Sequence, residues 1–132
     1  MRSRVVSIVA MVAFIAAVVP ALAHHATQAQ YDKENVKTIT GTMSKIQWVN
    51  PHVHWYLDVK DDKGNVTTWE IGGAAPVAFK TNGVTARGLF KVGDTYTATI
   101  GLARDGSPAG YSLTWVFPDG TKMDFWEQYG GK

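Results

Sequence analysis

The clearest pattern in the chain lies between His52 and Lys60, where apolar and polar positions alternate strictly. Val53, Trp55, Leu57 and Val59 fall on one side of an extended strand, and His52, His54, Tyr56 and Asp58 on the other. The first set predicts a core-facing surface, which leaves both histidines on the wetter face. Thr38 to Val49, rich in Thr and Ile, predicts the strand before it, with Gly41 as a bulge or close-packing point and Asn50-Pro51 as the turn between. Asp61-Asp62-Lys63-Gly64-Asn65 reads as a hairpin turn leading to a third strand, Val66 to Ile71.

After Gly72-Gly73 the period changes. Pro76 to Asn82 predicts one short helix, with Pro76 early in it and Asn82-Gly83 as its stop. Val84 to Gly93 reads as a loop. Asp94 to Ile100 alternates Thr95, Thr97 and Thr99 against Tyr96, Ala98 and Ile100 and predicts a fourth strand. Tyr111 to Phe117 predicts a fifth, and Thr121 to Trp126 a sixth beyond the Pro118-Asp119-Gly120 turn. Three strands, a helix and two further strands is the order of the OB-fold. The expected fold class is therefore mainly β, an OB-like antiparallel barrel of five to six strands with one short helix. An ordinary antiparallel sandwich is the alternative.

The N-terminus has the pattern of a secretory leader. Arg2 and Arg4 precede a mostly apolar run from Val5 to Val19, Pro20 ends the run, and Ala21-Leu22-Ala23 has the small-x-small form of a cleavage site. The run is shorter than the roughly 20 apolar residues that span a bilayer, and no second run follows. The expected organisation is a signal peptide at 1–23, an N-terminal arm at 24–37 and a barrel domain at 38–132. The expected location is the periplasm or the cell exterior. Cleavage removes 23 of 132 residues and leaves 109, enough for one core. It also removes Arg2 and Arg4, so 13 basic residues become 11 against 11 acidic ones. A near-neutral chain without a basic block argues against nucleic acid as a partner. Cysteine is absent, which rules out disulfides and thiolate metal or redox chemistry.

Processing after Ala23 would make His24 the first residue, offering an amine and a ring nitrogen to one ion. The four histidines form two pairs, His24-His25 and His52-His54. Nitrogen-rich, tetragonal sites suit Cu(II), so copper is the cofactor this pattern suggests, with all four histidines as candidate ligands. Backbones at positions 52 and 54 stand roughly 7 Å apart on a strand rising about 3.3 Å per residue, a spacing that permits a shared metal without requiring one. The competing reading makes both pairs solvated surface residues. Of the aromatic residues, Trp48 and Tyr56 are candidates for an exposed ligand-stacking platform, whereas Trp55, Trp69 and Trp115 are expected in the core. Asp58, Glu70, Asp94 and Asp124 suggest no acid–base pair. Met43 and Met123 are expected to pack rather than bind metal.

Several stretches resemble a family of small secreted bacterial proteins known only as a domain of unknown function. They are Ala23-His24-His25, Gly41-Thr42, Ile46-Gln47-Trp48 with Asn50-Pro51-His52, Asp58-Val59-Lys60-Asp61 with Gly64, Trp69, Lys91-Val92-Gly93-Asp94 and Pro118-Asp119-Gly120. The resemblance implies secretion and a compact β domain; it implies no activity, substrate or catalytic residue. The chain departs from it after Ile71, at Gly72-Gly73-Ala74-Ala75. Periplasmic copper carriers and copper-dependent polysaccharide monooxygenases are similar only in a processed terminal histidine. Three expectations follow, in order: a secreted binding module, with a copper ion or another small envelope ligand; a structural or protein-interaction domain of the envelope without metal; and a copper-dependent oxidative enzyme.

Overall fold

The computed structural model describes residues 29–81 and 86–125, without the side chains of residues 80, 81, 86 and 87. The expected signal peptide, His24, His25, the expected Asn82-Gly83 helix stop and Trp126 lie outside the described residues. The chain divides into two units, residues 1–30 and 31–132. Of the first, only the exposed Ala29-Gln30 is described, and it is helical.

The second unit is mainly β. Its strands are β1 (Tyr31–Trp48), β2 (Val53–Lys60), β3 (Val66–Gly72), β4 (Thr95–Ala103), β5 (Ala109–Val116) and β6 (Lys122–Asp124). Two short helical segments, α1 (Pro76–Thr81) and α2 (Ala86–Leu89), lie between β3 and β4. The expected helix is α1. The α2 turn corrects the reading of Val84 to Gly93 as loop throughout.

The strand order is β3-β2-β1-β4-β5-β6, with an additional parallel pairing of β3 with β5. That pairing joins Glu70, Ile71 and Gly72 to Ala109, Gly110 and Tyr111 and closes the ring β1-β2-β3-β5-β4. The antiparallel strand β6 is appended to β5. This is the OB-like arrangement expected from the element order.

Closure depends on β1, which pairs with β2 through its second half and with β4 along its first. The strand begins at Tyr31, not Thr38, so Tyr31–Lys37 is strand where an arm was expected. The periodic signal fails there because the register shifts between Asp32 and Val36. Asp32 Oδ1 accepts the backbone N–H groups of Glu34 at 3.1 Å and Asn35 at 3.4 Å across that irregularity. Gly41 is a close-packing point rather than a bulge. A Cβ there would stand 2.7 Å from the Asp58 carbonyl oxygen, whereas the bulge falls between Met43 and Lys45.

The core is aromatic. Trp55, Trp115 and Phe79 are wholly buried, with Phe90, Tyr96 and Phe125 nearly so. Trp55 stands at its centre, with ring centroids of Phe90 at 5.1 Å, Trp115 at 5.4 Å, Phe125 at 5.9 Å and Phe79 at 6.1 Å. Trp115 Nε1 donates to the buried Ser112 Oγ at 2.6 Å. Trp55 Nε1 is buried without a partner. Trp69 is only partly buried, and Lys37 Nζ lies 4.8 Å from its ring centroid. Met43 is buried in the core and Met123 packs against it, as expected of them. Outside, Thr38 pairs with Thr99 at 3.1 Å and Thr40 with Thr97 at 2.8 Å, hydroxyl to hydroxyl. Such cross-strand pairs support the sheet rather than a site.

Turn chemistry holds the ends. Asp61 Oδ1 accepts the N–H groups of Lys63 and Asn65 at 2.9 and 2.8 Å, and Gly64 takes a φ of 86° that favours glycine. Gly93 N–H donates to the Met43 carbonyl and Met43 N–H to the Asp94 carbonyl, both at 2.8 Å, tying the Lys91–Asp94 turn to β1.

Candidate ligand face

The alternation of β2 turns His54, Tyr56 and Asp58 away from the core, opposite the wholly buried Val53, Trp55 and Leu57. Antiparallel register then decides their neighbours. On β3, His54 faces Gly72, Tyr56 faces Glu70 and Asp58 faces Thr68. On β1, Gln47 faces His54 and Lys45 faces Tyr56. OB-folds present ligands on the face of their second and third strands and on the loops after the first and fourth. This face carries that relation to the barrel. His52 lies in the first of those loops, after a cis Asn50–Pro51 bond. The second ends at Pro108, whose carbonyl accepts the Glu70 N–H at 3.0 Å.

The polar side chains here are held in place. Asp58 Oδ1 accepts hydroxyls from Thr68 at 2.7 Å and Ser44 at 3.2 Å. Tyr56 donates its hydroxyl proton to Gln47 Oε1 at 2.7 Å, and Lys45 Nζ lies 4.9 Å from its ring centroid. Tyr56 is thus a pinned, partly covered ring. Trp48, its expected companion, packs edge-on against Phe79 and Trp55, with centroids at 5.6 and 6.4 Å. It forms a half-buried wall joined to the core.

His54 Nδ1 approaches Glu70 Oε1 to 2.8 Å. The approach has ion-pair distance but lacks the alignment of a ring N–H hydrogen bond. His52 is half-buried and its Nδ1 is shielded from solvent without a partner. Among the described residues no three His, Cys, Asp or Glu side chains gather into a metal-holding group. His24 and His25, the other candidate ligands, lie outside that description. Arg104 pairs with Asp32 at 3.3 Å.

Glu70, set aside in the sequence as part of no acid–base pair, proves to be the neighbour of His54. The signal was there, since Lys60 and Val66 flank the Asp61–Asn65 turn. Counting outward from that pair in antiparallel register sets Glu70 opposite Tyr56 and diagonal to His54.

Four tyrosines are shifted, two of them partly by this carboxylate. Burial, then the charges of Glu70 and Asp105, raise Tyr31 above its ordinary 10.0. Burial and then Glu70 raise Tyr56, burial and then Tyr31 raise Tyr111, and burial leads for Tyr96. A raised phenol pKa in the folded state means stability that is intact below pH 10 and lost as pH rises through the folded values. Ultraviolet titration should therefore show these four tyrosines ionising above pH 10, and unfolding should follow their ionisation. Ionisation at or below 10 in the folded protein would contradict this environment.

Among the described residues no helix is long and apolar enough to cross a membrane. No curated protein and no solved structure matches the chain. A family model described as a family of unknown function (DUF6152) matches residues 12–112, most of the chain and its strands from β1 through the first half of β5. The chain therefore belongs to the DUF6152 family, of unknown function.

Proposed function

We propose that the protein is a non-catalytic binding module of the periplasm or cell exterior, released by cleavage after Ala23, whose ligand is a copper ion. The ligands on this reading are the freed amine and ring of His24, with His25, and the His52 and His54 imidazoles. The observation that carries it is the shielded, unpartnered Nδ1 of His52, two residues from the outward-facing His54. A buried polar atom without a partner costs about 1–3 kcal/mol, and metal coordination, by reorienting the ring, is one way to relieve that cost. Neutral imidazoles and an amine form a donor set that suits Cu(II). The leader and the near-neutral mature charge support secretion and disfavour nucleic acid.

The test is calorimetric titration of Cu(II) into protein that begins at His24. One ion should bind more tightly than competing buffer, and a Met placed before His24 should weaken binding strongly. Binding no tighter than buffer competition would remove the copper reading. One observation favours a second reading, a metal-free protein-interaction domain of the envelope. Asp58 and Tyr56 already satisfy their hydrogen bonds within the face, as a surface without a small ligand would.

A further inference from the structure

The approach of Glu70 to His54 bears on which ring nitrogen a ligand meets. A neutral imidazole carries one N–H and one lone pair, and the partner of one nitrogen decides the role of the other. His54 Nδ1 is shielded from solvent and 2.8 Å from Glu70 Oε1, although 29 % of the side chain remains exposed. The exposed edge of the ring is therefore the one away from Nδ1, and Nε2 is the nitrogen a ligand can reach.

The neighbours favour the same arrangement. Gly72 stands directly opposite His54 and has no side chain, so the ring can lean diagonally across β3 towards Glu70. Tyr56, opposite Glu70, donates its hydroxyl proton to Gln47 Oε1 at 2.7 Å, while Glu70, by its charge and as a hydrogen-bond neighbour, raises the Tyr56 pKa. Lys45, opposite Tyr56 on β1, sits over the Tyr56 ring. The one misfit is alignment, and torsion about χ2 of a histidine is broad enough to correct it cheaply.

We propose that Glu70 is a positioning residue that holds His54 as the Nδ1–H tautomer and presents Nε2 outward as a lone-pair donor to a transition-metal ion. Ligating histidines commonly donate their second N–H to a carboxylate in this way, and loss of that partner typically weakens metal binding about 10–100-fold. The metal step rests on the copper reading above; the tautomer does not. The role assigned to Glu70 also makes the β2–β3 face, and not the processed terminus alone, a determinant of affinity.

The experiment is two-bond proton–nitrogen correlation on metal-free processed protein with labelled histidine, at a pH where the ring is neutral. His54→Gln identifies the His54 signals. His54 should show a protonated Nδ1 and an unprotonated Nε2, and Glu70→Met, which keeps the length but removes the acceptor, should move it towards the Nε2–H form. His52 should be unchanged in that variant. A wild-type His54 protonated at Nε2, or an unchanged tautomer in Glu70→Met, overturns the proposal. In a second arm, Cu(II) is titrated into protein carrying a Met before His24, with and without Glu70→Met. A loss of about 10-fold or more supports the metal step; equal affinities overturn that step. Absence of copper binding in the wild type with the Nδ1–H tautomer present removes the copper reading and leaves the Glu70 assignment standing.

Discussion

Replacing Trp55 by alanine is expected to destabilise the domain by about 4 kcal/mol, near the middle of the range for deleting a buried aromatic ring. Trp55 is wholly buried and contacts Trp48, Phe79, Phe90, Trp115 and Phe125, so its removal exposes rings contributed by β1, α1, β5 and the segments flanking β4 and β6. Small domains have only about 5–15 kcal/mol in hand, so urea unfolding should show a large drop in midpoint. Phenylalanine should cost less than half as much. It retains one ring in the cluster, and it removes an Nε1–H that is buried without a partner. Leaving such a donor unsatisfied costs about 1–3 kcal/mol, which offsets part of the lost volume. Equal losses for the two variants would mean that Trp55 is not the packing centre described above.

Gly73→Ala should be the most damaging of the small-to-small changes, at the upper end of or above the roughly 1–3 kcal/mol expected for overpacking. A Cβ on Gly73 would fall 2.1 Å from Trp55 Cζ3 and 2.4 Å from Cη2. Neither atom can move easily, because Trp55 is enclosed on the other sides by the rings named above. The backbone cannot retreat freely either, since the Gly73 N–H donates to the Val53 carbonyl at 2.9 Å. The cause can be isolated. Cζ3 and Cη2 belong to the part of the indole that phenylalanine lacks, so Gly73→Ala should be much better tolerated in a Trp55→Phe background. A double-mutant cycle should then show a coupling of at least about 1 kcal/mol, within the range for residues in contact. Additive losses would place the cost of Gly73→Ala elsewhere. Because β2 carries Trp55 on one side and His54 on the other, these variants also show whether the candidate face depends on the core beneath it.

Much of this architecture could be read along the chain. The two faces of β2, the Asp61–Asn65 turn, the helix after Gly73 and the alternation of β4 rest on local spacing, and the structure has them. The start of β1 was not legible. Its first residues are polar and interrupted by a register shift, and they become strand by pairing with Leu102 and Ala103, far away in sequence. The candidate site divides the same way. His54 and Tyr56 follow from parity, whereas the partner of His54 needed the hairpin register. The pinned ring of Tyr56 and the edge-on packing of Trp48 needed the whole barrel.

The sequence by itself determined which residues each strand turns inward and where the chain turns, because alternation and turn chemistry act over a few residues. It also determined the family to which the chain belongs. Only the tertiary structure decided that β3 meets β5 in parallel, that Glu70 approaches His54, and that the nitrogens of His52 and Trp55 are left without partners. Those outcomes depend on contacts between segments remote in sequence. Strand parity says which way a side chain points, and the closure of the ring decides what it meets.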